Sequence, residues 1–308
     1  MRDEFTGKPI KVHFASAEQV YTHTHARKLS GSRYCLASAY GFVAPHIGRK
    51  AVKSFFPPPG ADITGDFVAC ISEAEHSIID SGLFTLLFGT GKEQVTDERV
   101  IRSYADALIN FYGHVAGCER VSCVEVDCQK LCGPDLAWEL RRYMRDKLPS
   151  HDILNVYHLE DGEYGLDKLI EFSDYLCLSI PELRKSIPSS HLKKSIVGLL
   201  RHIHARRPRL RVHLLGCTDI RILKAANGLA YSADSISWLA PVAFYSPSKR
   251  RNSMVPWKPT EMDFEHYLAG IPGVELWPIG RKRTVLKWAA AMCAARRRMH
   301  TVLGPGSC

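Results

Sequence analysis

Eight short apolar segments alternate with segments of helical pattern over residues 1–240, and this alternation constrains the fold more than any other feature. In the segment Ser77–Gly89, Ile78 and Ile79 are β-branched and apolar, and the apolar run stops at Asp80. Such alternation predicts a parallel sheet, and eight units predict a closed (β/α)8 barrel. An open doubly wound sheet is the alternative, but it would carry a glycine-rich phosphate loop after the first strand, and the sequence has none there.

The predicted strands end in polar or small residues. In a barrel the carboxyl ends of all strands open on one face, so we expect these residues to ring one mouth. A single acid such as Asp80 could merely cap the turn formed by Ser81 and Gly82. Three acids on one rim indicate chemistry instead. The residues expected on the rim are Asp80, Asp127, His158, Ser179, Gly216 and Asp234.

Composition restricts the class of partner and the compartment. The formal net charge is +9, which favours a polyanionic partner such as a nucleic acid. The chain has ten cysteines and no apolar leader at its N-terminus, so we expect reduced thiols and a cytoplasmic location. No run of eighteen apolar residues occurs, so no membrane span is expected.

Residues 241–308 differ from the rest and are predicted to form a basic loop and C-terminal helices that pack on the barrel. We expect two basic groups there to contact phosphates, although a solvated face is the alternative for each. The loop group is Lys249, Arg250 and Arg251, and the helix group is Arg281, Lys282 and Arg283. Elsewhere, His23 and His25 do not share a helical face, and we expect both to be solvated.

Four motifs, in order and spacing, resemble those of the tRNA-guanine transglycosylase superfamily. Asp80-Ser-Gly-Leu-Phe-Thr85 resembles its Asp-Ser-Gly-Gly-(Phe/Tyr)-Gln motif, and Val126-Asp127 resembles its next strand end. His213-Leu-Leu-Gly216 is similar to a strand that ends in Met-Gly. Tyr231–Trp238 resembles the segment of the nucleophilic aspartate, in the form seen in phage and bacterial 7-deazaguanine DNA transglycosylases. The resemblance covers roughly residues 11–239.

Two departures from the family pattern affect the substrate. Leu83 and Thr85 stand where the family has Gly and Gln, which changes the shape of the pocket near Asp80. The Cys-x-Cys-x-x-Cys and His zinc site of the tRNA enzymes has no counterpart after Asp234, where only Cys293 and Cys308 remain. The sequence therefore predicts no zinc and favours DNA over tRNA.

The resemblance implies a role for each acid. Asp234 would be the nucleophile for C1′, Asp80 the acid/base, and Asp127 the acceptor for a purine N–H edge. Phe84 and Leu215 would sandwich the base, although core packing is the alternative for both. Other residues expected in substrate binding are Ser81, Gly82, His158, Ser179 and Gly216.

The sequence thus predicts a glycosyltransferase, without a cofactor, that exchanges guanine in DNA for a free 7-deazaguanine such as 7-cyano-7-deazaguanine. It would act on a nucleotide flipped out of the duplex and form a covalent aspartyl-glycosyl intermediate. If a phage encodes it, the expected location is the host cytoplasm. The alternatives are a queuosine-related tRNA-guanine transglycosylase, a non-catalytic nucleic-acid-binding barrel, and a glycoside hydrolase with an aromatic-lined cleft.

Overall fold

Eight parallel strands close into a barrel in which each strand pairs with its neighbours in chain order. The structure is a computed structural model that describes residues 7–48, 62–83, 97–115, 120–217, 219–239, 269–271 and 274–308. The (β/α)8 fold predicted from the sequence is confirmed. The strands are β1 (Lys11–Phe14), β2 (Tyr34–Ser38), β3 (His76–Asp80), β4 (Val121–Val124), β5 (Asp152–Tyr157), β6 (Tyr175–Ser179), β7 (Arg211–Leu215) and β8 (Ser232–Ser235).

Helices follow the strands around the outside, as a parallel sheet requires. Those in the described part of the chain are α1 (Val20–Ser30), α2 (Tyr40–Val43), α3 (Ile63–Ser72), α4 (Glu98–Val115), α5 (Gln129–Lys147), α6 (Gly162–Phe172), α7 (Ile180–Ser186), α8 (Ser189–Arg206), α9 (Ile220–Ala226) and α10 (Ile279–Leu303). None of these helices is both long and apolar enough to cross a membrane.

The apolar core lies mainly between the strands and the helices, because each helix turns one apolar stripe toward the barrel. In α4 this stripe contains Tyr104, Leu108 and Tyr112, all fully buried. The hydroxyl of Tyr112 donates to the Val124 carbonyl at 2.9 Å, which ties the helix to the strand that it covers. Strands therefore end at fixed positions relative to the helices, and the loops that follow them start from a rigid frame.

The C-terminal helix α10 completes the ring of helices by packing against α1 and α9. The ring of Trp288 meets Trp238 edge-on at 5.3 Å between centroids, and the Trp238 indole donates to the Ala15 carbonyl at 3.1 Å. Residues of α10 share one apolar cluster with strands β1, β5, β6 and β7. Among the described residues, α10 therefore shares the apolar core of the barrel and does not form a core of its own.

Side chains fill the barrel interior, and their character changes along its axis. A small apolar cluster, which includes Leu36, Ile78 and Leu154, occupies the middle. We call the end at the amino termini of the strands the base, and its polar groups include Asp152 and Arg211. We call the opposite end, at the carboxyl termini of the strands, the mouth, and the residues predicted on the rim, such as Asp80, Asp127 and Asp234, lie there.

Candidate active site

Three predicted acids lie at the mouth because each follows a buried parallel strand. Asp80 is the last residue of β3, Asp234 lies in β8, and Asp127 follows β4 by three residues. The negative charges of Asp234 and Asp127 both raise the pKa of Asp80. The structure therefore brings together the acids to which the sequence analysis assigned nucleophilic, acid/base and base-recognition roles.

Asp80 is held in a tight turn and carries a strongly raised pKa. Its carboxylate accepts a hydrogen bond from the backbone N–H of Gly82 at 3.1 Å. Gly82 has φ +72°, and a Cβ there would lie only 2.6 Å from Cβ of Tyr40, so the turn requires glycine. Burial and the charge of Asp234 raise the pKa of Asp80 to about 7, despite the Gly82 hydrogen bond.

Asp234 differs from Asp80 in its surroundings, because hydrogen-bond donors from Gly216 and His213 face it. Its Oδ1 accepts from the backbone N–H of Gly216 at 2.7 Å and lies 3.1 Å from Nε2 of His213. Gly216 has φ +62°, and a Cβ there would lie 2.8 Å from Cγ of Pro181. Glycine is thus needed for the turn that directs this N–H, and its role is to orient the acid of the neighbouring strand.

Asp127 is paired with a buried histidine rather than with another acid. Nε2 of His158 hydrogen-bonds Oδ1 of Asp127, and Nδ1 of the same ring lies 2.8 Å from Oε2 of Glu182. Burial lowers the pKa of His158, but hydrogen bonds to the two carboxylates outweigh burial and raise it to about 10. His158 is therefore an imidazolium at neutral pH, placed beside the carboxylate of Asp127.

Glu18 is a fourth acid at the mouth that the sequence analysis did not single out. It lies between β1 and α1, and its Oε2 accepts from the backbone N–H of Ser38 at 3.2 Å. Burial raises the pKa of Glu18, and its charge in turn raises the pKa of Asp80. Glu18 and Glu182 both follow a strand end by only a few residues, so a search for acids just after predicted strands would have found them.

The other predicted substrate contacts are placed less uniformly. Ser81 is buried, and its hydroxyl accepts from the backbone N–H of Leu83 at 3.4 Å, so it serves the turn. Ser179 and Leu215 are register partners at the ends of β6 and β7 and are half-buried at the mouth. Phe84 lies outside the described residues, so its sandwich with Leu215 stays a prediction.

The predicted phosphate contacts need one correction. Arg281 is buried, with its guanidinium 3.7 Å from the ring centroid of Trp277, and burial lowers its pKa. It therefore packs α10 rather than presenting a charge to solvent, while Lys282 is half-buried and Arg283 is exposed. The loop residues Lys249, Arg250 and Arg251 lie outside the described residues.

Two groups of potential metal ligands occur in the described part of the chain, each with its three ligand atoms within 4.8 Å of one another. Cationic side chains already pair with both groups. Lys130 Nζ lies 3.2 Å from Glu182, and Arg206 lies 2.8 Å from Asp167. These ion pairs give neither group a reason to attract a metal ion. The groups are His158, Glu160 and Glu182, and Glu163, Asp167 and His202.

Comparison with known proteins adds no relative: no family model matches the chain, and no curated protein matches its sequence.

Proposed function

We propose that the chain is a DNA base-exchange enzyme that replaces guanine with a 7-deazaguanine through a covalent aspartyl-glycosyl intermediate. One observation carries the proposal: two carboxyl groups, Asp80 and Asp234, lie at one mouth in different surroundings. Donors from Gly216 and His213 face Asp234, whereas burial and neighbouring acids raise the pKa of Asp80 to about 7. Such a division between two acids is what acid/base and nucleophilic roles require.

In the first half of the reaction, a carboxylate oxygen of Asp234 attacks C1′ of the target nucleotide and the C1′–N9 bond breaks. Protonated Asp80 gives its proton to the leaving guanine, so no charge accumulates on the base. In the second half, the incoming base gives its N9 proton to Asp80 and attacks C1′. The bond to Asp234 then breaks, and both acids return to their starting states.

A pKa of about 7 suits Asp80 for both halves of this cycle. A group that titrates near the working pH can release a proton in one step and accept one in the next. Asp234 has no such need, because it must remain ionised to attack. A non-catalytic binding barrel would have no use for this difference between the two acids.

Asp127 supports recognition of the base. The imidazolium of His158 bonds its Oδ1, and a carboxylate accepts hydrogen bonds but donates none. Such an acceptor suits the N–H edge of guanine or of a 7-deazaguanine that keeps this edge. The base must leave the duplex to reach the mouth, since the reacting atoms of a stacked nucleotide are inaccessible.

The test is mass spectrometry of nucleosides from the DNA and the tRNA of cells that make the chain beside a supply of 7-deazaguanine bases. We expect a 7-deazaguanine deoxynucleoside in DNA from cells with the wild-type chain, and none with Asp80→Asn or Asp234→Asn. Asp167→Asn alters an acid of helix α6 outside the mouth and should leave the product in place. The modified base in tRNA alone, or in neither nucleic acid, would contradict the proposal.

A further inference from the structure

Below Asp234, three buried side chains form one continuous line of hydrogen bonds into the barrel. Nε2 of His213 lies 3.1 Å from Oδ1 of Asp234, and Nδ1 of the same ring lies 2.6 Å from Oγ of Ser232. The Ser232 oxygen also hydrogen-bonds the hydroxyl of Tyr175. His213, Ser232 and Tyr175 are each completely buried, so water does not compete for these groups.

Counting hydrogens along this line favours one arrangement. An ionised Asp234 only accepts, so Nε2 of His213 must carry a proton to bond it. In a neutral ring Nδ1 is then bare and accepts the single hydroxyl proton of Ser232. The Ser232 oxygen remains free to accept from Tyr175, whose proton is firmly held because burial raises its pKa far above the usual range.

The opposite tautomer satisfies fewer groups. A bare Nε2 would face the acceptor Oδ1 of Asp234 at 3.1 Å, and two acceptors at that distance repel each other. A proton on Nδ1 would force Ser232 to donate toward Tyr175. Among the described residues, the Tyr175 hydroxyl has no other hydrogen-bond acceptor recorded, so its proton would lack a partner.

We propose that His213 is a positioning residue for the nucleophile: a neutral imidazole, held in its Nε2–H form by Ser232 and Tyr175, that donates to Oδ1 of Asp234. The proposal rests on the proposed function in giving Asp234 the role of nucleophile, but the tautomer itself does not depend on it. Both hydrogen bonds to Asp234 among the described residues end on Oδ1. Oδ2 is thus the oxygen available for attack, and removing the His213 donor should disturb both the aim and the ionisation of the acid.

Charged groups and hydrogen-bond donors from several elements surround Asp234. Acids come from three strand ends, and donors from β7 and the turn after it. Among the described residues, the titratable groups recorded as interacting with Asp234 or with its neighbour Asp80 are Asp80, Asp127, Glu18, His213, Cys177, Cys217, Tyr104 and Tyr112.

The first experiment needs no substrate and uses a variant only to assign the signal. Long-range proton–nitrogen correlation spectra of protein labelled with ¹⁵N-histidine distinguish a protonated from a bare ring nitrogen, and His213→Gln assigns the signal. We expect a protonated Nε2 and a bare Nδ1 at pH 7. A proton on Nδ1 alone, or on both nitrogens, overturns the proposal.

The second experiment measures single-turnover formation of the DNA–protein adduct against pH. In His213→Leu the donor is lost, and we expect a rate at least about tenfold lower at pH 7, with the acidic limb displaced upward by about one pH unit. In His213→Gln the side-chain amide can donate in place of Nε2, and the limb should return to within about a third of a pH unit of wild type. His76→Leu is the matched control, because it removes another buried interior imidazole that bonds His13 and Ser122 instead.

An unchanged acidic limb in His213→Leu, or an equal displacement in His76→Leu, would show that His213 only fills the barrel. Failure of the proposed function gives a different result. In that case wild-type protein forms no adduct with any DNA, while the nitrogen spectra still report the tautomer.

Discussion

The two ends of the barrel interior treat buried carboxylates in opposite ways. At the base, Asp152 accepts from the guanidinium of Arg211 at 2.8 Å and from the hydroxyl of Ser122 at 2.6 Å. Burial would raise the pKa of Asp152, but the hydrogen bonds and charge of Arg211 outweigh burial and lower it. At the mouth, Asp80 forms none of the recorded ion pairs among the described residues, and its pKa rises to about 7.

Burial acts to raise the pKa of both carboxyls, and only at Asp152 do its partners, chiefly Arg211, reverse the direction. The base has its own counter-charges, so its polar groups are satisfied without a ligand. The mouth gathers carboxyls that repel one another, and such an arrangement persists at a cost in stability that functional sites commonly carry. The contrast separates a polar layer whose carboxylate has a counter-charge from one in which Asp80 has no recorded ion pair among the described residues.

The largest effect that we expect is the loss of base exchange when an acid at the mouth, but not one at the base, is replaced. Asp234→Asn removes the negative charge and most of the nucleophilicity of the side chain, so covalent adduct and base exchange should fall by about three orders of magnitude or more. DNA binding should change little, because phosphate contacts supply most of the affinity. Denaturing gels for a DNA-linked band, with filter binding in parallel, measure both quantities.

Asp152→Asn is the matched change at the base and should retain the band. Adduct formation by Asp234→Asn, or its loss in a folded Asp152→Asn protein, would remove the distinction between the two ends.

The second effect concerns stability at the base. Arg211→Met leaves the Asp152 carboxylate without its counter-charge, and we expect a loss of about 3 kcal/mol. That figure is the lower end of the range for buried pairs, because 18% of the Arg211 side chain is exposed. Asp152 has a lowered folded pKa, so its stabilising contribution is present above about pH 4 and is lost as the pH falls further. Urea unfolding at pH 7 measures the loss, and Arg211→Met with Asp152→Asn should recover part of it.

The third effect is a gain in stability rather than a loss, because it removes one of the acids that repel one another at the mouth. The folded pKa of Asp80, about 7, lies above its unfolded value near 4, so the folded state holds the extra proton between these values. The stability that Asp80 contributes is therefore lost as pH rises through that window. Asp80→Asn avoids the loss, and we expect the variant to be about 2 kcal/mol more stable than wild type at pH 8, but unable to exchange bases.

That estimate is about half of the value for full linkage, because water reaches the mouth and screens the charges. The gain should shrink at pH 5, where Asp80 is already protonated in the wild-type protein. Unfolding midpoints at the two pH values measure the difference, and an equal gain at both would contradict the assignment of a raised pKa.

The barrel was predictable from the sequence because its evidence is local. Apolar runs that stop at Asp80 and near Asp127 mark strand ends, and strand ends determine which residues share the mouth. The motif residues that resemble the transglycosylases fall at these same positions. Helix α3, which begins at Ile63, is harder to predict from the sequence, because the Pro and Gly residues shortly before it are typical of a loop.

Partners across the barrel were not predictable, because they depend on register between strands far apart in the chain. His23 was expected in solvent, yet it is buried beside Trp238, and its ring hydrogen-bonds the Phe14 carbonyl at 3.1 Å. Burial lowers its pKa to about 3, so the ring stays neutral. Arg281 likewise looked like a surface charge until the packing of Trp277 was visible.

Asp127 combines features of the two ends, since it lies at the mouth but has a cationic partner, and it supplies the smallest effect. His158→Gln keeps a hydrogen-bond donor beside Asp127 but removes the positive charge that pairs with its carboxylate. We expect the KM for the free base to rise about tenfold, equivalent to about 1.4 kcal/mol, with a smaller change in kcat, because the contact is to base rather than to the reacting carbon.

In the wild-type protein, the contribution of the His158 charge to base binding should persist until the imidazolium loses its proton. The folded pKa of His158, about 10, lies above the unfolded value near 6.5, so its stabilising contribution is complete below pH 6.5 and is lost as pH approaches 10. Glu182→Gln removes the second carboxylate from the ring and should raise the KM in the same direction, since less of the imidazolium charge is then supported. Steady-state kinetics with varied base measure both variants, and a lowered kcat at unchanged KM would show that His158 serves the chemistry at C1′ instead of the recognition of the base.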